Sequence, residues 1–330
     1  MTKRERIQAA IHHKPVDRPP IAMWRHFPQD DMRAEKLAAS TIAFYRQFDF
    51  DLLKVTPASG YYGDDWGLKA AYRPNREGTR TYLERPIKKA GDWPHLKVLD
   101  VTSGTYGREL RAIRLIAEEV GREVPILETI MSPLTIARTL SGDHALLRYL
   151  QENPEEVHAG LEIITEVTSR FVQECLAAGA DGIFFATQCA TTDYLSEEQY
   201  EEFGRPYDLR VLEAAAGVGC IILHLHGRNI LFDLFTDYPV HIINWHDRGT
   251  WPPLEEARKR YSGCLLGGID EQGTLAKGTP EEVIAEVKDA LRRTGGVGHI
   301  LGPGCVIPVD TPQENIQAAV AAVASQTPPR

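Results

Sequence analysis

The amino-acid sequence predicts an α/β fold, a single (β/α)8 TIM barrel over residues 1–330. Three observations carry this expectation. Short β-rich apolar runs recur eight times along the chain, helix-like segments with recognisable start signals separate them, and ionisable or aromatic side chains gather just after the runs. A doubly wound open sheet is the alternative, but it wants a Gly-x-Gly-x-x-Gly turn after its first strand, and none stands there.

Ile21 to Arg25 is the first run, and Asp51 to Thr56, built around Leu52, Leu53 and Val55, is the second. Pro125 to Ile130 and Gly182 to Thr187 follow, and Cys220 to His224 carries the apolar Ile221-Ile222-Leu223. His241 to Trp245, Cys264 to Gly268 and Gly298 to Leu301 complete the series. Helix starts are marked where a cap residue precedes a first-turn proline or a reciprocal Glu or Gln: Ser196 with Gln199, Thr279-Pro280 with Glu282, and Thr311-Pro312 with Glu314. The stretch from Ala58 to Trp93, rich in Gly, Pro and Asp, has weak periodicity and reads as a lid or substrate-contact loop.

With 330 residues and 43% hydrophobic content the chain can bury one large core, and nothing in it reads as a linker between two. A net charge of −9 argues against a nucleic-acid or anionic-membrane partner, which would need a basic surface, and points to a small-molecule substrate. Met1 to Arg6 opens a charged amphipathic segment with no apolar core of a leader, and no apolar stretch is long enough to span a bilayer. A soluble, cytoplasmic protein is expected. Five widely spaced cysteines do not form a disulfide framework. Cys220 and Cys264 begin strands and Cys175 lies in a helix, so these three are expected as buried thiols, whereas Cys189 and Cys305 follow strands.

Active sites of barrels sit at the carboxyl ends of the strands, so the residues found there are the candidates for chemistry. They are Arg25 and His26, Tyr61, Tyr62, Asp64 and Asp65, Glu128, Gln188 and Cys189, His224 and His226, Asn244, His246 and Asp247, Asp270, and Cys305. Side chains two apart on a strand share a face, so His224 and His226 can converge on one point, and a thiolate from the last strand, Cys305, would complete a three-ligand zinc site with an open position. The competing reading has His226 hydrogen-bonding at the strand end and Cys305 as a small packed residue. Arg25 is placed to hold a substrate carboxylate in a bidentate pair, or else forms a salt bridge across the rim. The run Tyr61-Tyr62-Gly63-Asp64-Asp65-Trp66 suits a flat or heterocyclic ligand, or tucks onto the barrel by its aromatics. Cys189 reads as a further ligand, a nucleophile or a packed thiol. Asp247 and Asp270 either orient a histidine or cap a helix.

Several motifs resemble the uroporphyrinogen decarboxylase superfamily, which also contains methylcobalamin:thiol methyltransferases. They are Arg4-Glu5-Arg6-Ile7 leading to Asp17-Arg18-Pro19-Pro20, Ser132-Pro133-Leu134-Thr135, and Tyr194 to Tyr200. They continue through His224-Leu225-His226-Gly227, Leu254 to Arg258, Gly267-Gly268-Ile269-Asp270, and Pro308 to Asn315. Where the decarboxylase branch carries an Arg-Gln-Ala-Gly-Arg loop and a late Gly-His-Gly, this chain reads Met23-Trp24-Arg25-His26-Phe27 and Gly302-Pro303-Gly304-Cys305. One matched arginine would neutralise an octa-anionic tetrapyrrole poorly. The methyltransferase branch binds zinc through a His-x-Cys pair and a late cysteine; His224, His226 and Cys305 fall on those positions, with histidine in place of the middle cysteine.

The resemblance therefore implies zinc-dependent methyl transfer between a corrinoid or methylated substrate and an acceptor, with zinc on His224, His226 and Cys305. Arg25, Tyr62 and Asp65 are the expected catalytic residues, and Arg25, His26, Tyr61, Tyr62, Trp66, Gln188, Cys189 and His246 the expected substrate contacts. A corrinoid carrier protein and a second copy of the chain are the expected partners. Two other readings stay open: a cofactor-free decarboxylase of the porphyrinogen type, and a corrinoid or tetrapyrrole binding protein without catalysis.

Overall fold

The structure, a computed structural model, describes residues 1–325; the last five positions of the domain expected over 1–330 lie outside the described residues. Nine strands occur among them: β1 (Leu53–Lys54), β2 (Lys69–Tyr72), β3 (Arg80–Glu84), β4 (Ile126–Met131), β5 (Gly182–Thr187), β6 (Cys220–Leu225), β7 (Ile242–Trp245), β8 (Cys264–Ile269) and β9 (His299–Pro303). Seven form a curled parallel sheet in the order β1-β4-β5-β6-β7-β8-β9, and β2 pairs with β3 as a separate antiparallel hairpin. Every residue of β4, β5, β6 and β8 is buried, as helices packed over a parallel sheet require. Helices precede the strands they feed: Gly104–Val120 before β4, Pro154–Ala177 before β5, Arg205–Glu213 before β6, Leu254–Arg260 before β8 and Pro280–Thr294 before β9.

The expected strand Ile21 to Arg25 is a correction. Only a parallel bridge, Ile21 to Leu301, forms there, flanked by hydrogen bonds from Ala22 N to Leu301 O (3.0 Å) and from Leu301 N to Pro20 O (2.8 Å). Pro19 and Pro20 lack amide protons, so a ladder cannot extend backwards through them. On the other side Asp51 N donates to Ile21 O (2.8 Å), and the Asp51 carboxylate accepts from Ile21 N (2.9 Å). That carboxylate is fully buried between Arg6 and Arg18, each 2.6 Å away, and ties the first helix, Lys3–Ile11, to this segment.

The run Asp51 to Thr56 contributes only two residues of regular strand, paired with Ile126 and Leu127. The stretch from Ala58 to Trp93, expected as an irregular loop, folds into the short helix Tyr61–Asp64 and the β2-β3 hairpin. Ser196 with Gln199 and Thr279 with Glu282 form reciprocal caps as their spacing predicts. Thr311 does not: its hydroxyl donates to Pro308 O at 2.8 Å, and the last helix, Gln313–Ala324, begins after Pro312. Cys175, Cys220 and Cys264 are buried free thiols. No helix among the described residues is long and apolar enough to cross a membrane.

Candidate metal centre and active site

Three strands, β6, β7 and β9, deliver one cluster. β6 ends on His224 and Leu225, and His226 follows at once, its N–H donating to Thr187 O of β5 (3.0 Å). In the parallel register His224 lies beside Asn244 of β7 and Leu225 beside Trp245, so His246 leaves β7 at the level of His226. Cys305 stands two residues beyond β9. One potential ligand atom from each of His224, His226, His246 and Cys305 lies within 4.8 Å of all the others. Cys305 Sγ is 3.6 Å, and His246 Nε2 3.4 Å, from His226 Nδ1.

The residues behind the cluster set its protonation. Asn244 is fully buried; its amide nitrogen donates to Leu266 O and Pro303 O, both at 3.0 Å, which turns its oxygen toward His224 Nδ1 at 2.7 Å. An amide oxygen only accepts, so Nδ1 carries the proton and Nε2 presents its lone pair. That Nε2 is buried and has no hydrogen-bond partner. Glu271 braces the other side: Oε1 lies 2.7 Å from His246 Nδ1, and Oε2 accepts from Gly304 N at 3.0 Å, fixing the turn that carries Cys305. A Cβ at Gly304 would come within 2.7 Å of the His246 backbone, so this turn can approach only as glycine.

Burial by itself would raise the Cys305 thiol, but the imidazoles of His224, His226 and His246 outweigh it and hold the thiol well below its usual range. Burial likewise lowers His224. For His246 burial is overcome by Cys305 and Glu271, which push it up to about 10. An orphaned buried imidazole nitrogen and a thiolate-prone cysteine converging with two more imidazoles fit a zinc ion.

The cluster opens into a cavity of about 300 Å³ whose lining includes His26, Lys54, Tyr61, Tyr62, Arg80 and Gln188. Of the expected contacts, His26, Tyr61, Tyr62, Gln188 and His246 therefore share one space with His224, His226 and Cys305. His26 is buried, with Nδ1 3.1 Å from Pro57 O, and desolvation lowers it to about 4, so it is neutral.

Four expected residues lie elsewhere. Arg25 donates to Val309 O at 3.0 Å and packs over Phe27 and Phe44, outside the cavity lining. Asp65 is exposed and accepts from Thr105 N (2.8 Å) at the start of helix Gly104–Val120. Trp66 donates to Lys97 O at 2.8 Å on the outer face of the same loop. Cys189 is fully buried against Thr135, and desolvation pushes its thiol up to about 12. Asp247 and Asp270 orient no histidine: Asp247 accepts from Gly268 N (2.9 Å), and Asp270 from Gln272 N and Gly273 N (3.1 and 2.8 Å). The side chains behind the histidines are Asn244 and Glu271. Glu271, Lys54 and Arg80 escape a reading of strand ends, although a lysine inside Leu52-Leu53-Lys54-Val55 is a visible anomaly in an apolar run.

A curled parallel sheet with a polar cluster and a cavity at the carboxyl ends of its strands is the architecture of a barrel-type α/β enzyme. The chain belongs to the uroporphyrinogen decarboxylase family, whose profile matches residues 2–326. It is 26% identical to a methylcobamide:CoM methyltransferase of Methanosarcina acetivorans over 97% of this chain and 96% of that one. A second such methyltransferase, from Methanosarcina barkeri, is 27% identical over 97% of each chain, and a uroporphyrinogen decarboxylase of Anaeromyxobacter dehalogenans is 27% identical over 96% of this chain and 97% of that one. Among solved structures, a methyltransferase from Methanosarcina mazei superposes with a TM-score of 0.87 at 22% identity, covering 98% of both chains.

Proposed function

We propose that this protein is a methyltransferase that moves a methyl group between a corrinoid or methylated substrate and a small acceptor, using zinc held by His224, His226 and Cys305. The observation that carries this reading is His224 Nε2, a buried nitrogen left without a partner while Asn244 fixes its lone pair toward His226, His246 and Cys305. The likeness to methylcobamide:CoM methyltransferases along almost the whole chain supports it.

Zinc, when bound, supplies a Lewis acid that lowers the pKa of the acceptor. The chain's own residues do the rest. Asn244 keeps His224 in the ligating tautomer, and Glu271 holds both His246 and the Gly304-Cys305 turn. Glu271 accepts from His246 Nδ1, and because Cys305 and Glu271 hold this imidazole up to about 10 it stays protonated at neutral pH and turns an Nε2–H donor toward the cluster, where it would hold the bound acceptor. Neutral His26, Tyr61, Tyr62 and Gln188 wall the cavity and limit water around the transferring methyl group. Residues 1–330 form one domain in this reading, with the Pro20 to Ala22 segment closing the barrel between β9 and β1. The methylated corrinoid arrives free or on a carrier protein.

Decarboxylation of an octa-anionic tetrapyrrole fits less well. Lys54 and Arg80 are the cations in the cavity lining, and Arg80 is already paired with the buried Asp31. The test is metal analysis of protein purified without added zinc, together with demethylation of methylcobalamin. About one zinc per chain, lost in Cys305→Ala along with methyl transfer, is expected; a metal-free parent protein overturns the proposal.

A further inference from the structure

Lys54 is an ammonium group without a counter-charge in contact. It is 6% exposed, lines the cavity shared with the His/Cys cluster, and its Nζ makes one hydrogen bond, to Thr56 Oγ1 at 3.2 Å. The rest of its surroundings are aromatic: Nζ lies 4.6 Å from the centre of the Phe184 ring and 5.7 Å from that of Trp24. No carboxylate among the described residues comes within ion-pair distance. Two acids act on it through space without touching it, first the Cys305 thiol of the cluster and then Glu128 on β4, whose carboxyl burial raises well above its usual range, toward the neutral form. Arg80 in the same lining is different, because Asp31 neutralises it.

An ammonium has three protons to place, and burying it with one neutral acceptor is costly unless an anion joins it. Desolvation lowers Lys54 to about 8, which still leaves it charged at neutral pH. The walls around it are ring surface. Trp24 and Phe184 stand edge to face at 5.2 Å, and Tyr61 and Tyr62 form a second such pair at 5.3 Å. Both tyrosine hydroxyls are engaged, Tyr61 with Thr129 O at 2.7 Å and Tyr62 with Thr139 Oγ1 at 3.1 Å, so these side chains offer the cavity mainly apolar ring.

We propose that the cavity takes a small aryl carboxylate, its ring between the Trp24–Phe184 and Tyr61–Tyr62 pairs and its carboxylate on Lys54 Nζ. A short aliphatic anion would satisfy the charge but leave the aromatic walls unfilled, and a neutral arene would do the reverse. The assignment rests on reading this cavity as the substrate site of the proposed methyltransferase, and it makes Lys54 the residue that selects the substrate.

Calorimetric titration of the full-length, zinc-loaded protein with benzoate, benzamide and propionate tests it. Benzoate is expected to bind at least about tenfold more tightly than either analogue, and Lys54→Met to abolish its advantage over benzamide. Equal binding of benzoate and benzamide, equal binding of benzoate and propionate, or a Lys54→Met protein that keeps the preference overturns the proposal. The comparison of the three ligands on the unsubstituted protein decides the matter if Lys54→Met fails to fold. Benzoate selectivity in a protein that holds no zinc and transfers no methyl group supports this assignment and overturns only the methyl-transfer reading. Zinc-dependent demethylation of methylcobalamin without benzoate selectivity does the opposite.

Discussion

Asn244 Oδ1 sits 2.7 Å from His224 Nδ1 while the other end of the same amide is held by two carbonyl oxygens, so one buried side chain determines which nitrogen of the imidazole is free. The same division of labour recurs at Glu271, one oxygen on His246 and the other on the backbone of Gly304. Both histidines are therefore pre-set before any ligand arrives, and four predictions follow from this frame and from the network that anchors it.

Replacing Asn244 with leucine removes the proton acceptor behind His224 and should weaken zinc binding by about 10- to 100-fold. Asn244→Asp, which keeps an oxygen facing Nδ1, should retain more of the affinity even though it strands the Leu266 and Pro303 carbonyls. Competition with a chromophoric chelator measures both; equal loss in the two variants would show that packing, not the hydrogen bond, matters.

Chelation should strip the metal with loss of methyl transfer and leave the fold in place. The sheet and its buried helices do not depend on the cluster, since its residues lie beyond or at the very ends of the strands. Far-ultraviolet circular dichroism before and after chelation, with activity restored by zinc alone, is the check. Unfolding on chelation would mark the site as structural instead.

Asp51→Asn should cost about 3 kcal/mol of stability, because Arg6 and Arg18 converge on its buried carboxylate and Ile21 N depends on it as well. Glu119→Gln, which breaks an ion pair with Arg46 that is about half exposed on both sides, should cost less than about 1 kcal/mol. Urea unfolding of the two variants compares them directly. Comparable losses would remove the claim that Asp51 locks the Pro20 to Ala22 segment.

Stability should fall as pH rises from about 4 to 7 in a way that Asp208 accounts for. Burial pushes this carboxyl from its ordinary 3.8 up to about 7, although the hydroxyls of Tyr200 and Tyr238 lie 2.7 and 3.2 Å from Oδ2. The folded chain then keeps a proton that the unfolded chain has lost, so folding binds protons in this window and each added pH unit favours unfolding. Asp208→Asn removes the titration. The difference in melting temperature between parent and variant should change between pH 4 and 7 and level off outside it; a constant difference would refute the assignment.

Much of the site is legible in the chain because its signals are local. His224-Leu225-His226 has the strand period of two, and Gly302-Pro303-Gly304-Cys305 follows a recognisable apolar run, so both could be placed at the mouth of the sheet from sequence alone. Arg25, Asp65 and Trp66 had the same kind of local signal, yet their backbone turns them to Val309, Thr105 and Lys97. A chemically suitable residue after a strand says where the backbone is, not which way the side chain goes. Lys54 escapes such a reading for the converse reason: it lies within a strand, where alternation aims it inward among Trp24 and Phe184.

The sequence by itself determined seven of the eight expected strands of the parallel sheet, the convergence of His224, His226 and Cys305, and the family, because hydrophobic period, cap residues and short motifs act over a few residues. The tertiary structure decided that His246 joins them, that Asn244 and Glu271 set their protonation, and that Lys54 faces the same cavity without a counter-ion. Those relations depend on register between neighbouring strands and on competition among buried polar groups for partners, and neither is written in the spacing of residues along the chain.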